Sequence, residues 1–246
     1  HVFCEKPVDL ELGRVKDVKD LVAKTGKKYM VGFNRRFDHN FMAIKENIDE
    51  GLIGKLELIQ ITSRDPEPPP ISYVKVSGGL FCDMMIHDFD MVRYLSSSNP
   101  KSVTAIGDAL VNPKIKTEGN DIDTAIVSIE LENGALAVIT NSRRASYGYD
   151  QRAEVHGELG ALYCSNDTSN TLVISSKDGI IHEKPLYFFL ERYLNAYKME
   201  IEIFVDSIIN NKETPVTIEE AYQSLLLAKA AQKSLIENRK VYINEL

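Results

Sequence analysis

The stretch Tyr29-Met30-Val31-Gly32-Phe33-Asn34-Arg35-Arg36-Phe37-Asp38 decides the fold. Its first five residues are apolar on both faces, as in a strand of a covered parallel sheet. Just upstream, Gly26 stands where a glycine ends a helix. That helix reads back to Asp9 as N-cap, with Val15, Val18, Leu21 and Val22 along one side. Before it, His1-Val2-Phe3-Cys4 reads as a buried strand, ended by Glu5-Lys6-Pro7 because Pro7 cannot continue a ladder. Strand, helix, strand is one βαβ unit. Asn34 to Asp38 then lies just past a strand's C-terminal end, where α/β sheets bind ligands. A domain rarely begins inside a strand, so the chain reads as a fragment.

Downstream the pattern changes. A helix over 39–50 ends at Gly51, and 55–63 alternates as a strand. Arg64 to Ser77, with Pro66-Glu67-Pro68-Pro69-Pro70, reads as a long loop over a site. Strands are expected near 103–109, 123–132, 135–142, 150–156, 161–165, 171–176 and 180–184. Asn133-Gly134 is a strong hairpin signal among them. Two helices close the chain, one over 188–210 and one from Thr217 with Glu220 completing a capping box. Ala221, Leu225, Ala228, Ala231 and Leu235 give the second its apolar stripe. The expected class is α+β: a remnant βαβ of a Rossmann domain, then a large, mostly antiparallel open sheet with helices on one face. The division reads as 1–36 for the dinucleotide-binding remnant and 37–246 for a substrate-binding and oligomerisation domain, with a catalytic helix over 79–95 and closing helices over 188–237.

Composition narrows the function. The 246 residues carry a net charge of −7, which argues against a nucleic-acid binder or an anionic membrane surface. No apolar run approaches the length of a membrane span, and no secretory signal opens the chain. Cys4, Cys82 and Cys164 are scattered and odd in number, which suits a reducing cytoplasm and gives neither a disulfide framework nor a metal site. No Gly-x-Gly-x-x-Gly is present.

The chemistry-bearing stretch is Gly78-Gly79-Leu80-Phe81-Cys82-Asp83-Met84-Met85-Ile86-His87-Asp88-Phe89-Asp90 and on to Leu95. Read as one helix, it puts Asp83, His87 and Asp90 at i, i+4 and i+7, on one face. Asp88 points away. A histidine flanked by carboxylates suits a general base near neutral pH. An Asp/His pair four apart is also common as a plain surface pair.

Taken together, these residues resemble the glucose–fructose oxidoreductase / inositol dehydrogenase / MocA family, and within it the myo-inositol 2-dehydrogenases. Glu5-Lys6-Pro7 matches the family's EKP motif. Gly32 to Asp38, the Asp83/His87/Asp90 helix, and Asn141 to Arg152 with its Tyr147-Gly148-Tyr149-Asp150 match in order over nearly the whole chain. The resemblance implies an NAD-dependent dehydrogenase, NADP not excluded, that oxidises a ring hydroxyl of a polyol such as myo-inositol, giving 2-keto-myo-inositol. In that picture His87 takes the hydroxyl proton, Asp83 binds substrate and tunes His87, and Lys6 steadies the developing alkoxide. Asn34, Arg35, Asp90 and Tyr149 line the substrate pocket, and Glu5, Lys6 and Pro7 meet the cofactor. Ser63 and Asp65 stand where some members have His and Asn, which leaves the polyol open. The glycine-rich phosphate turn is missing, so the chain alone is expected to bind NAD weakly and to be inactive.

Other readings stay open. Another sugar or polyol is one. A non-catalytic remnant that oligomerises, as dimer or tetramer, through its open sheet is another. Lys6 could be a surface lysine, Tyr149 a sheet aromatic, and Arg35 a brace paired with Asp38 or another carboxylate. Arg143-Arg144 reads as an exposed pair or subunit contact, and His39, His156 and His182 as structural or exposed.

Overall fold

Strand β1 (Val2–Glu5) pairs in parallel with β2 (Tyr29–Gly32), and helix α1 (Leu12–Thr25) connects them. The computed structural model describes residues His1–Leu246. Gly26 closes α1 in the left-handed region, φ 61°, as its position requires. Asp9 is not the N-cap: α1 starts three residues later, and Asp9 instead accepts the Glu11 N–H. A short 3-10 turn, Asn34–Phe37, leads to α2 (His39–Asp49). Asp38 caps α2 by accepting from the Asn40 and Phe41 N–H groups, satisfying donors a helix start leaves open.

Strand β3 (Leu56–Arg64) follows, and then the proline-rich connection. That connection is not all loop: it holds α3 (Ile71–Val74). The expected single helix over 79–95 is broken into α4 (Gly79–Asp83) and α5 (Ile86–Ser96). The reason lies in the hydrogen-bond ladder. Both Met84 and Met85 N–H groups donate to the Leu80 carbonyl, so the ladder slips by one residue between the two pieces.

The main sheet adds β4 (Pro100–Asp108), then β5 (Thr124–Leu131), β6 (Leu136–Ser142), β7 (Asp150–Gly157) and β8 (Gly160–Cys164), with α6 (Pro113–Thr117) after β4. The two strands expected next do not join it. β9 (Val173–Ser176) and β10 (Gly179–His182) form a separate exposed hairpin. Helices α7 (Phe189–Arg192) and α8 (Leu194–Ile209) replace the single helix expected over 188–210. Helix α9 (Ile218–Glu237) ends the helical part, and β11 (Val241–Tyr242) adds an unforeseen edge strand beside β4.

The seven-stranded sheet runs β11-β4-β5-β6-β3-β7-β8. It is antiparallel except where β3 and β6 pair in parallel. One cluster of 45 buried residues extends from Val15 to Val241 and joins the helices to one sheet face. Ala221, Leu225, Ala228 and Ala231 of α9 are buried in it; burying a leucine of this kind stabilises by about 1.5–3 kcal/mol. The opposite face leaves Ile106, Ile126, Leu136 and Tyr163 exposed. The expected capping box of α9 does not form: Thr217 caps nothing, and Glu220 accepts from Arg36 and Arg93 instead. On α8, Glu200 is buried, its Oε2 has no partner, and burial first, then the Glu5 charge, pushes its carboxyl up to about 8. No helix is long and apolar enough to cross a membrane.

Candidate active site

Two parallel pairs define the site, because the C-terminal ends of parallel strands leave backbone ends free and side chains converging. Lys6 follows β1, and Asn34 and Arg35 follow β2. Beyond the other pair the last register partners are Ser63 with Asn141 and Arg64 with Ser142, so Asp65 and Arg143 are the next partners out. Helices α4 and α5 bring Asp83 and His87 against these ends.

Lys6 Nζ donates to the Asp83 carbonyl oxygen at 2.6 Å and lies 3.7 Å from Oδ1 of the same residue. Arg143 Nη2 donates to Asp83 Oδ2 at 2.6 Å, and its Nη1 donates to Asp65 Oδ2 at 2.9 Å. The Tyr73 hydroxyl, from α3, donates to Asp83 Oδ1 at 2.8 Å. Burial pushes the Asp83 carboxyl up, but the charges of Arg143 and Lys6 and the hydrogen bonds from Arg143 and Tyr73 leave it below its usual range. Asp65 moves the other way: its burial outweighs Arg143 and raises it. Burial lowers the Lys6 ammonium, and the Asp83 charge only partly restores it.

His87 stands one turn on. Its ring is half-buried, edge-on to Phe33 at 6.1 Å, and its Nδ1 is buried without a partner. Burial, then the charges of Lys6 and Arg35, hold the imidazole well below its ordinary value. It is therefore neutral near pH 7 and able to accept a proton. The lowering by Lys6 and Arg35 also reports that both cations lie near the ring. Lys6, Asp83 and His87 thus come together, with Asp83 reaching the cluster across a helix break rather than along a straight helix.

Arg35 is buried and braces the site from below. It donates to Asp88 and, at 3.1 Å, to Ser63 Oγ, which donates to Gln151 at 2.6 Å. Asp88 also accepts from Asn141 Nδ2 at 2.9 Å and is fully buried, so the expectation that it points away is wrong. Within α5 it turns its side chain toward Arg35 and Asn141. Tyr149 is buried beside Arg35, edge-on to Phe188 and Tyr193. Asn34 is buried in the same 3-10 turn as Arg35. Asp90 is not part of this cluster: both its oxygens are taken by Arg36, at 2.8 and 2.7 Å. Glu5 and Pro7 flank Lys6, and the Glu5 carboxyl lies 3.0 Å from where a Cβ on Gly32 would stand. Arg144 is exposed as expected, but Arg143 is not; the reading of both as an exposed pair fails for it.

Sequence reasoning missed Arg143, Asp65, Tyr73 and Asp88. A signal existed for the first two. The inward set Ile59, Ile61, Ser63 continues to Asp65, and Ala137, Ile139, Asn141 continues to Arg143; all eight are buried. A cleft of about 720 Å³ lies elsewhere and is lined by Asp38, His39, Asp167, Glu191 and Arg192. It adjoins the site through one ring: Arg192 and Arg35 stand 4.9 and 5.9 Å from the Tyr193 centroid.

Lys6 keeps donor capacity beyond its Asp83 contacts and His87 Nδ1 is unpartnered, which fits a nicotinamide and a hydroxylated substrate meeting here. Nothing on this chain fits the phosphates, since no glycine-rich strand-to-helix turn occurs in it. No group of His, Cys, Asp and Glu is arranged to hold a metal ion.

Comparisons with known proteins give the family. The model of the GFO/IDH/MocA C-terminal domain matches residues 41–163. The chain belongs to the Gfo/Idh/MocA family of oxidoreductases. It is 46% identical over 249 residues to the myo-inositol 2-dehydrogenase of Thermotoga maritima, covering all of this chain and 73% of the relative. It is 50% identical to YrbE, an uncharacterized oxidoreductase of Bacillus subtilis, over 96% of this chain and 69% of that one. A crystal structure of scyllo-inositol dehydrogenase from Lactobacillus casei, with bound NAD(H) and scyllo-inositol, superimposes with a TM-score of 0.91 at 31% identity, covering 99% of this chain and 73% of that one.

Proposed function

We propose that this chain forms the substrate side of a nicotinamide-dependent oxidoreductase that oxidises a ring hydroxyl of a cyclic polyol, myo-inositol to 2-keto-myo-inositol. The observation that carries the reading is Lys6 reaching the Asp83 carbonyl oxygen at 2.6 Å beside a neutral, half-buried His87. A hydroxyl can lose hydride from carbon only as its proton leaves oxygen, so a base and a cation must face the same oxygen. His87 takes the proton. Lys6 steadies the alkoxide as it forms, in surroundings where burial strengthens the attraction. Asp83 accepts a substrate hydroxyl and holds Lys6. Asn34, Arg35 and Tyr149 offer further partners, which a polyol needs in number and without a counter-charge. Bound NAD supplies the hydride acceptor, with Glu5, Lys6 and Pro7 at its nicotinamide end. Asp90 drops out of the substrate set, because Arg36 occupies both its oxygens.

The residues 1–36 are read as part of a dinucleotide-binding unit and 37–246 as the substrate domain. The apolar outer sheet face, with Ile106, Ile126, Leu136 and Tyr163, supports association into a homo-oligomer there. The test of function is NADH formation by the protein as its gene encodes it, with a panel of inositols and hexoses. Turnover of an inositol is expected, with His87→Ala lowering kcat/KM by about 10²–10⁴. A His87→Ala enzyme of near-normal activity would refute the assigned base. Calorimetric titration of these 246 residues with NAD is expected to give no micromolar binding.

A further inference from the structure

We propose that Arg143 is a positioning residue of this reaction: by bridging Asp65 and Asp83 it fixes the Asp83 carboxylate between Tyr73 and Lys6, and so places the Lys6 ammonium beside His87. The inference deepens the dehydrogenase reading and rests on it. Its observations are geometric. Arg143 is 7% exposed and spends its two terminal nitrogens on two different carboxylates, at 2.6 and 2.9 Å. It is held there by its own backbone, whose N–H donates to the Asp123 carbonyl at 2.8 Å. Asp65 is fixed likewise, its N–H donating to the Ser142 carbonyl at 3.0 Å. The acid and the base therefore face each other as register neighbours beyond the parallel β3–β6 pair, on the rigid end of the sheet.

Asp83 sits on the least regular element of the three. It is the last residue of the five-residue α4, at the point where the helix ladder slips. Such a break leaves a side chain few local constraints. Three side chains supply them: Tyr73 on Oδ1, Arg143 on Oδ2, and Lys6 3.7 Å from Oδ1. Tyr73 is half-exposed on a four-residue helix, and Lys6 follows a short edge strand. Arg143 alone ties Asp83 to the main sheet.

Charge balance gives the same answer. The cluster holds Lys6, Arg35 and Arg143 against Asp65, Asp83 and Asp88. Arg35 is matched by Asp88. Without Arg143, two carboxylates share a buried space with one ammonium. Like charges there oppose each other, so each carboxylate holds its charge less easily and the Asp83 midpoint rises. With Oδ2 freed, the Asp83 carboxylate can turn away from Tyr73 and Lys6, and the ammonium keeps only its bond to the Asp83 carbonyl oxygen.

The test has two arms. Aspartate-selective 13C NMR, with Asp83 assigned by an Asp83→Asn variant, follows the Asp83 carboxyl in the 246-residue chain with and without Arg143→Met. Its midpoint should rise by about 1–3 units in the variant. In the protein as its gene encodes it, Arg143→Met should lower kcat/KM by about 10²-fold, mostly in kcat, and move the acid limb of the pH profile upward. Arg143→Lys, which keeps the charge but reaches one carboxylate, should recover part of the rate and most of the limb. If the Asp83 midpoint stays put in Arg143→Met, or if activity falls with an unchanged pH profile, Arg143 is only structural and the proposal fails. Should Arg143→Met not fold, Arg143→Gln, which removes the charge but keeps a hydrogen-bonding end, is judged by the same midpoint and limb. A wild-type enzyme that turns over no polyol would sink the functional reading, while the carboxyl titration would still decide the role of Arg143.

Discussion

Replacing Asp88 by asparagine tests how the site is held up from beneath. The side chain is fully buried and accepts from Arg35 and from Asn141. Asn keeps the volume and the hydrogen-bonding end but removes the charge. Arg35, itself 3% exposed, then stays buried beside Lys6 with no counter-ion. For charge centres about 4 Å apart at an effective dielectric of 20, the lost attraction is about 4 kcal/mol. That agrees with the roughly 3–5 kcal/mol seen when one partner of a buried pair is removed. In a chain of this size the melting temperature should fall by roughly 6–20 °C. Equilibrium urea unfolding followed by circular dichroism measures the loss directly. The companion double change, Arg35→Met with Asp88→Leu, removes both charges and should regain most of the stability. A loss under about 1 kcal/mol in Asp88→Asn would show that Arg35 is not a buried, dependent cation, and the account of the site's foundation would be wrong.

Other outcomes follow from single features. Glu200 has a folded-state value of about 8 against an ordinary 4.5, so between those pH values the folded chain holds a proton that the unfolded chain has lost. Stability should therefore decline as pH rises from 4.5 to 8, and thermal melts of Glu200→Gln should show a smaller decline and a higher midpoint at pH 8. Gly79 has φ 81° and a Cβ there would stand 2.6 Å from Asp121 Oδ1, the oxygen that accepts from Leu80 N–H at the start of α4. Gly79→Ala should cost at least about 1–2 kcal/mol in a denaturant titration.

Local signals carried much of the reading. Gly26, the Asn133-Gly134 turn and the doubly apolar Tyr29 strand are decided by neighbours in sequence, and each appears where its residues demand. Lys6, Asp83 and His87 were legible because a strand tip and a four-residue spacing are local too. Partners chosen across the fold were not. Glu220 satisfies a capping-box pattern, yet two arginines from elsewhere offer it charge-assisted hydrogen bonds, and those win over a helix cap. Asp88 was misjudged because its partners, Arg35 and Asn141, each stand 53 residues away in sequence on other elements. Arg143 stood in plain register with Ala137, Ile139 and Asn141, but an arginine is rarely placed inward unless its acids are known.

The bond from Arg36 to Glu220 has a consequence for biosynthesis. A ribosome releases the N-terminal strands first, and α9 last among the helices. At about 5–20 residues per second, the span from Arg36 to Glu220 takes roughly 10–40 s to emerge. During that interval the Asp90–Arg36 clasp lacks its third member, and β2 lacks the Val216 carbonyl to which Val31 donates at 3.0 Å. A nascent chain can thus build most of its sheet before Val216 and Glu220 emerge to complete the end of β2 and the Asp90–Arg36 clasp.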